Sequence, residues 1–286
     1  MAEPKLSDNA LRAVTDDGAF RVITVRTTDI VRRMLATGSL WGPEAVQLAD
    51  LVTGTILVRE TMAPTHRVQG LLRSADASCL WVGDSDPDGG ARGLLTRKDK
   101  KAAASIKGGT LEVVRTLNNG ELHRGMVQVP VGSTMSQALM AYLQESEQVV
   151  SMLAIGCVLG NDHVVAAGGY IVQLLPEVGQ GPLAIMAERL RDFENIGPLL
   201  ANLDAATTPL MNEILYGMPF TRLEESPLAW RCRCGRDRVL ATLATLPRSD
   251  LVALSADEEP IELSCDFCGS KYAVSPAELR ALLAEG

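Results

Sequence analysis

Apolar positions follow two different periods along the chain, and the change between them falls near residue 178. Before it, β-branched runs alternate with segments at helical spacing. Phe20 to Val25 (FRVITV) reads as a strand, and Thr28-Asp29 then offers an N-cap for a helix through Leu35 that Gly38 can end. Pro43 suits the first turn of a second helix, in which Ala45, Leu48, Leu51, Val52, Thr55 and Ile56 form one stripe. Strands are predicted around Arg67 to Leu72 and Cys79 to Val82, followed by a Gly- and Asp-rich loop at Gly83 to Gly90. Within residues 111–129, Asn119-Gly120 separates two strand-like halves, a local hairpin signal. Ser133-Thr134 caps a helix running to about Gln144. Two apolar strands, Val149 to Leu159 and Val164 to Leu175, flank the turn Gly160-Asn161-Asp162, and Pro176 closes the segment. Gly168-Gly169 sits in the second of them with no helix behind it to receive a phosphate, so a bulge or a close backbone approach is expected. This order predicts an α+β fold, a mixed sheet-and-helix core over residues 1–177, not a regular βαβ winding.

Beyond residue 178 the period is helical. Gly179, Gly181 and Pro182 break the preceding element, and Leu183, Met186, Leu190, Phe193, Ile196, Leu200 and Leu203 then recur at steps of three and four. Gly197-Pro198 must kink or divide that stripe. A second, shorter one (Leu210, Ile214, Met218) precedes Pro219. Residues 178–231 therefore read as helical: either ordinary helices on the core, or a linker whose apolar face docks only conditionally. Residues 232–286 form a third, small unit.

Composition narrows the class. With 286 residues, 47% apolar and 22% charged, the chain suits one large core plus a smaller unit. A net charge of −8 and an aromatic content of 4% argue against nucleic acid as the main partner. The first residues, MAEPKLSDNALRAV, lack a basic segment followed by an apolar one, and no apolar run approaches the ~20 residues that span a bilayer. A cytoplasmic protein with no membrane partner is expected. In that compartment thiols stay reduced, so clustered cysteines point to metal or redox chemistry.

Four of the six cysteines stand in the last 55 residues, as C-x-C in WRCRC (Trp230 to Cys234) and C-x-x-C in CDFC (Cys265 to Cys268). On an extended chain Cys232 and Cys234 point to one face. Cys265 to Gly269 has the spacing of a metal knuckle, with Gly269 relieving the turn, and Gly235 follows Cys234 in the same way. Four thiolates from two segments match a closed, structural tetrahedral zinc site, one Zn2+ per chain. A unit of this size with few large apolar side chains is near the limit of what a core alone can hold. Only deprotonated sulfur binds the ion, so oxidation of these thiolates removes both the ligands and the stability they confer. Loss of that unit, if the upstream stripe rests on what it stabilises, would bare an apolar surface on demand.

Other residues suggest less. Cys79 and Cys157 lie in apolar surroundings typical of core packing, and His66, His123 and His163 are isolated, with no G-x-S-x-G elbow beside them. No motif argues for an enzyme. Two rivals remain: a zinc-ribbon nucleic-acid binder using Arg231, Arg233, Arg236 and Arg238, and a thiol oxidoreductase using Cys265 and Cys268, although the latter lacks a thioredoxin-like βαβ context.

Over nearly its full length the chain resembles the redox-regulated 33-kDa heat-shock holdase chaperones of bacteria, also called the 33 kDa chaperonin family. The resemblance is carried by C-x-C, an interval of about thirty residues, and C-[DE]-[FY]-C-G (Cys232, Cys234, Cys265, Asp266, Phe267, Cys268, Gly269), by VAAGGYIVQLLPE at 165–177 and by FRVITVRTTDIVRRML. Trp230 stands where the family often has Phe, and the linker is less densely charged than in the best-known members. The resemblance implies an ATP-independent holdase, inactive when reduced and zinc-bound. Under oxidative stress combined with unfolding conditions, it implies loss of zinc, disulfides Cys232–Cys234 and Cys265–Cys268, unfolding of the linker, dimerisation and binding of unfolding client proteins.

Overall fold

Two largely antiparallel sheets and a helix between them account for most of the first of two units into which the chain divides, residues 1–231 and 232–286. The computed structural model describes residues 6–99, 104–176 and 181–285. The expected break at Gly179 and the boundary at 177/178 lie outside the described residues. Strands β1 (Asn9–Thr15) and β2 (Phe20–Arg26) lead into helices α1 (Thr28–Gly38) and α2 (Pro43–Glu60). Strands β3 (Arg67–Arg73), β4 (Cys79–Ser85), β5 (Gly90–Arg97), β6 (Thr110–Thr116) and β7 (Leu122–Gln128) follow, then α3 (Met135–Glu145), β8 (Ser151–Leu159) and β9 (Val164–Leu174). Next come α4 (Gly181–Leu190), a 3-10 turn (Arg191–Phe193), α5 (Gly197–Asn202), α6 (Thr207–Ile214), β10 (Phe220–Pro227) and the short β11 (Ala229–Trp230). One sheet has the order β10-β1-β2-β9-β8 and the other β11-β5-β4-β3-β6-β7.

The α2 stripe expected on one face proves to be part of a helix enclosed all round. From Leu51 to Glu60 every residue is buried, because α2 packs against strands of both sheets. Its two buried central threonines are satisfied: the Thr55 hydroxyl donates to the Leu51 carbonyl at 2.7 Å, and Thr53 bonds Thr27 at 2.8 Å. Close approach depends on a row of glycines. Gly70, Gly83 and Gly93 are in register across β3, β4 and β5, and a Cβ on Gly83 would lie 2.8 Å from Thr55 Oγ1. That row explains why Gly83 belongs to β4, where a loop over Gly83 to Gly90 was expected. Gly83→Val should lower stability by about 1–3 kcal/mol through overpacking, measured as a fall in the urea midpoint. An unchanged midpoint would mean that the helix does not need this clearance. Gly168-Gly169 likewise marks a close backbone approach, since a Cβ there would fall 2.4 Å from the Val25 carbonyl oxygen and 2.5 Å from that of Ala154.

Caps fall close to their expected places, with two changes. Thr134 and Gln137 form a capping box on α3. On α1 the Thr28-Asp29 pair does not cap. The Asp8 carboxylate instead accepts from the N–H groups of Asp29 (3.1 Å) and Ile30 (2.7 Å), and Ser39, not Gly38, takes the left-handed conformation with φ 49°. The Asn119-Gly120 hairpin forms, but through the longer turn 117–121, with Gly120 at φ +84°.

The described part of 178–231 folds on the first unit. Met186, Leu190, Ile196, Leu200, Leu210 and Ile214 are buried against the sheet face that carries Val22, Tyr170 and Val172. Thr24 donates to the Thr207 carbonyl at 3.0 Å, and Arg26 to that of Asp204 at 3.1 Å. The helical description holds for 181–214 and not beyond: β10 pairs antiparallel with β1, and β11 parallel with β5. FTRLEESP carries too few apolar residues to announce a strand, and as an edge strand it gains its structure from backbone pairing.

The second unit comprises α7 (Arg236–Leu243), α8 (Arg248–Ser255), the hairpin β12 (Ile261–Ser264) and β13 (Lys271–Val274), and α9 (Pro276–Glu285). Among the described residues, Leu243, Leu251, Val274 and Leu279 are its buried apolar residues.

Candidate metal centre

Both cysteine pairs stand at element boundaries, where the backbone is free to turn its side chains together. Cys232 and Cys234 precede α7, whose N-cap Gly235 is extended. Cys265 and Cys268 form the turn of the β12–β13 hairpin. Within that turn the Gly269 N–H donates to the Cys265 carbonyl at 2.7 Å, the Cys265 N–H donates to the Ser270 carbonyl at 2.9 Å, and Gly269 takes φ +69°. A φ in this region is nearly free of strain only for glycine, which is why the knuckle ends on one.

All four sulfurs converge. Their Sγ atoms lie within 4.8 Å of one another, with Cys232 and Cys265 at 3.6 Å and Cys234 and Cys268 at 3.2 Å. They are thiols, half-buried, and the cluster can hold a metal ion. Two further residues touch it that sequence reasoning missed. The Tyr272 hydroxyl donates to Cys234 Sγ at 3.0 Å, and Ser270 Oγ lies 3.2 Å from Cys268 Sγ. Their positions become meaningful only once the hairpin register sets Tyr272 opposite Leu263.

The thiols are electrostatically unequal. Burial pushes Cys265 up to about 12. At Cys268 burial acts the same way, but hydrogen bonding with the Ser270 side chain and backbone and with Cys234 and Cys232 together outweighs it and takes the thiol down to about 6. The hydrogen bond to Cys234 raises the Tyr272 hydroxyl to about 12, keeping it protonated as a donor. Four sulfurs this close cannot all ionise without a cation between them, so full deprotonation is coupled to metal binding.

The other cysteines and the histidines lie apart from this cluster. Cys79 is buried in the main core. Cys157 is half-buried, and burial followed by the nearby Asp50 pushes its thiol up to about 12, the mark of an unreactive sulfur. Asp50 lines a cleft with Cys157 and Glu194, and burial lifts its carboxyl from 3.8 to about 7 while Oδ1 finds no hydrogen-bond partner. The folded chain thus keeps a proton that the unfolded chain loses, and stability falls as pH rises from about 4 to about 7, then levels. Asp50→Asn should remove that fall, so its urea midpoint gains on the wild type between about pH 4 and about pH 7. A constant difference across that window would contradict the assignment. His163 is exposed beside Asp162, and His123 is exposed on β7.

A family model described as Hsp33 protein matches residues 8–275, across both units. The chain belongs to the Hsp33 family. Curated Hsp33-type relatives agree over the whole length: the 33 kDa chaperonin of Syntrophotalea carbinolica is 33% identical over 98% of this chain and 100% of its own. That of Symbiobacterium thermophilum is 30% identical over 96% of each. The crystal structure of the 33 kDa chaperonin (heat shock protein 33 homolog) of Thermotoga maritima superposes with a TM-score of 0.81, covering 98% of this chain and 99% of that one at 21% identity, which shows a shared fold. The α+β architecture and the chaperone family expected from sequence are thereby established.

Proposed function

We propose that this Hsp33-family chaperone is a redox-regulated, ATP-independent holdase, held inactive by Zn2+ on Cys232, Cys234, Cys265 and Cys268. One observation carries the reading: four thiols converge to within 4.8 Å in a unit with four buried apolar residues among those described. A tetrahedral thiolate site with Zn–S near 2.3 Å places its sulfurs about 3.8 Å apart, close to the separations found here, and the donor set therefore fits. When bound, zinc supplies structural stability and no catalysis.

Oxidation acts on the ligands. Each pair of thiolates that forms a disulfide gives up two electrons to the oxidant, peroxide or hypochlorite, which takes two protons from solvent and is reduced to water or to chloride and water. The pairing we favour is Cys232–Cys234 and Cys265–Cys268, as the family resemblance implies, and disulfide sulfurs no longer ligate. Residues 232–286 then act as the redox switch, residues 178–231 as the conditionally folded linker, and residues 1–177 as the chaperone core. Its partners are unfolding client proteins and, in the oxidised state, a second copy of the chain. No helix among the described residues is long and apolar enough to cross a membrane, and we place the protein in the cytoplasm.

Neither rival gains support. Of the four arginines around the first pair, Arg231 is engaged by Asp88 and Arg236 by Glu278 and the Ala273 carbonyl, which leaves a weaker phosphate surface than the sequence offers. Cys265 and Cys268 sit on a hairpin turn, without the helix N-terminus that activates an oxidoreductase thiol. The test is a thermally aggregating client mixed with reduced or with oxidised, metal-free protein. Light scattering should fall only with the oxidised form, and equal aggregation with both would overturn the assignment.

A further inference from the structure

A cavity of 140 Å³ lies inside the first unit, where β2, the turn after α2, β6 and the turn after α3 meet β9. Its lining is unusually cationic. Arg21 donates to the Thr61 carbonyl at 3.0 Å and to the Gln173 side chain, both neutral, and no carboxylate among the described residues answers its charge. Burial and the neighbouring Arg12 both press on that guanidinium, lowering its pKa. Arg115 shares Glu147 at 3.4 Å, but the same carboxylate also accepts from the Tyr142 hydroxyl at 2.6 Å. Two guanidinium groups therefore face one carboxylate. Three nitrogens of the lining, Arg21 Nε, Arg115 Nε and His66 Nδ1, are buried without a hydrogen-bond partner.

Buried donors and charges are normally satisfied, so two orphaned guanidinium N–H groups around one small cavity, beside a His66 ring nitrogen that donates too when protonated, mark a missing acceptor. We propose that this cavity binds a tetrahedral oxyanion of the phosphate or sulfate class, held by Arg21, Arg115 and His66. Its size suits that group: 140 Å³ leaves ample room for a five-atom ion. Guanidinium groups pair with such oxygens in a bidentate fork, and a tetrahedral ion presents oxygens to several elements at once. The inference stands on a different part of the molecule from the cysteine cluster and does not depend on it.

The test uses the full-length reduced chain and titration calorimetry at constant ionic strength. Inorganic phosphate and sulfate should bind saturably, and chloride and acetate should not. Glycerol phosphate separates the sources: no binding assigns the cavity to the free ion, and binding equal to phosphate assigns it to a phosphate group carried by a metabolite. Arg21→Gln and Arg115→Gln should each weaken binding at least about ten-fold. His66→Ala supplies a milder third variant if either arginine change impairs folding. Equal binding of chloride or acetate, or phosphate bound as tightly by the folded variants as by the wild type, would overturn the proposal. So would a thermal stabilisation that rises linearly without saturating and is shared by wild type and variants, since that is the general salting-out effect of these anions.

Discussion

Chelating the metal under reducing conditions is expected to unfold residues 232–285 and to leave the sheets of the first unit folded. Four buried side chains, Leu243, Leu251, Val274 and Leu279, form the apolar centre of the second unit. So small an apolar centre leaves the unit marginal by itself, and structural zinc contributes roughly 10 to 16 kcal/mol in small peptides, as large as the whole stability margin of a typical domain. Polar contacts are minor by comparison: the Arg236–Glu278 pair is exposed, and exposed pairs contribute ~0–1 kcal/mol. Hydrogen exchange should therefore show protection lost across β12, β13 and α9 on chelation. Cys268→Ser acts in the same direction with a smaller loss, because three sulfur ligands remain. If the chelated chain keeps its protection in these elements, the second unit does not depend on metal.

The second large effect is expected when oxidation and heat act together. The apolar stripe of α4 to α6 docks on the first unit's own sheet, through Leu200, Leu210, Met211 and Ile214, all fully buried. Its backbone is tied there by Thr24 and Arg26, and β10 extends the same sheet. Burial of these four side chains contributes about 6–12 kcal/mol to the docking, before the ordering cost of the segment is counted. Oxidation of the cysteines removes none of these contacts. Protection at residues 196–214 should thus survive oxidation at low temperature and disappear only when the oxidised chain is warmed, exposing an apolar face able to hold a client. The docking thus accounts for the heat requirement in the two-trigger behaviour that the family resemblance implies. Loss of protection on oxidation alone would place the docking under the control of the cysteine-bearing unit.

Much of the fold was legible because local signals agreed with tertiary demand. FRVITV, the Pro43 helix, the capping residue Thr134 and the Asn119-Gly120 hairpin each carry their instruction within a few residues. The strands that escaped notice carry no such instruction. NALRAVT, GARGLLTR and FTRLEESP mix glycine or charge with apolar positions and become strands through pairing that the segments themselves do not announce: the first two with the strands next to them in sequence, FTRLEESP with the distant β1. The enclosure of α2 escaped for the same reason, since it rests on Gly70, Gly83 and Gly93 coming into register from three strands. At the metal centre the ligand spacing stood in plain view, whereas Tyr272 and Ser270 needed the hairpin register to be seen. Asp8 as the cap of α1 could not be read from Thr28-Asp29, because the capping group comes from 20 residues upstream of the helix start.

The most direct measurement of the central claim is a single oxidation time course at raised temperature in which zinc release and client protection are recorded together on the full-length chain. Release of about one zinc per chain should coincide with, or precede, the suppression of client aggregation, and added reductant should reverse both. Client protection that develops while the metal stays bound, or complete metal release with no protection, would contradict it.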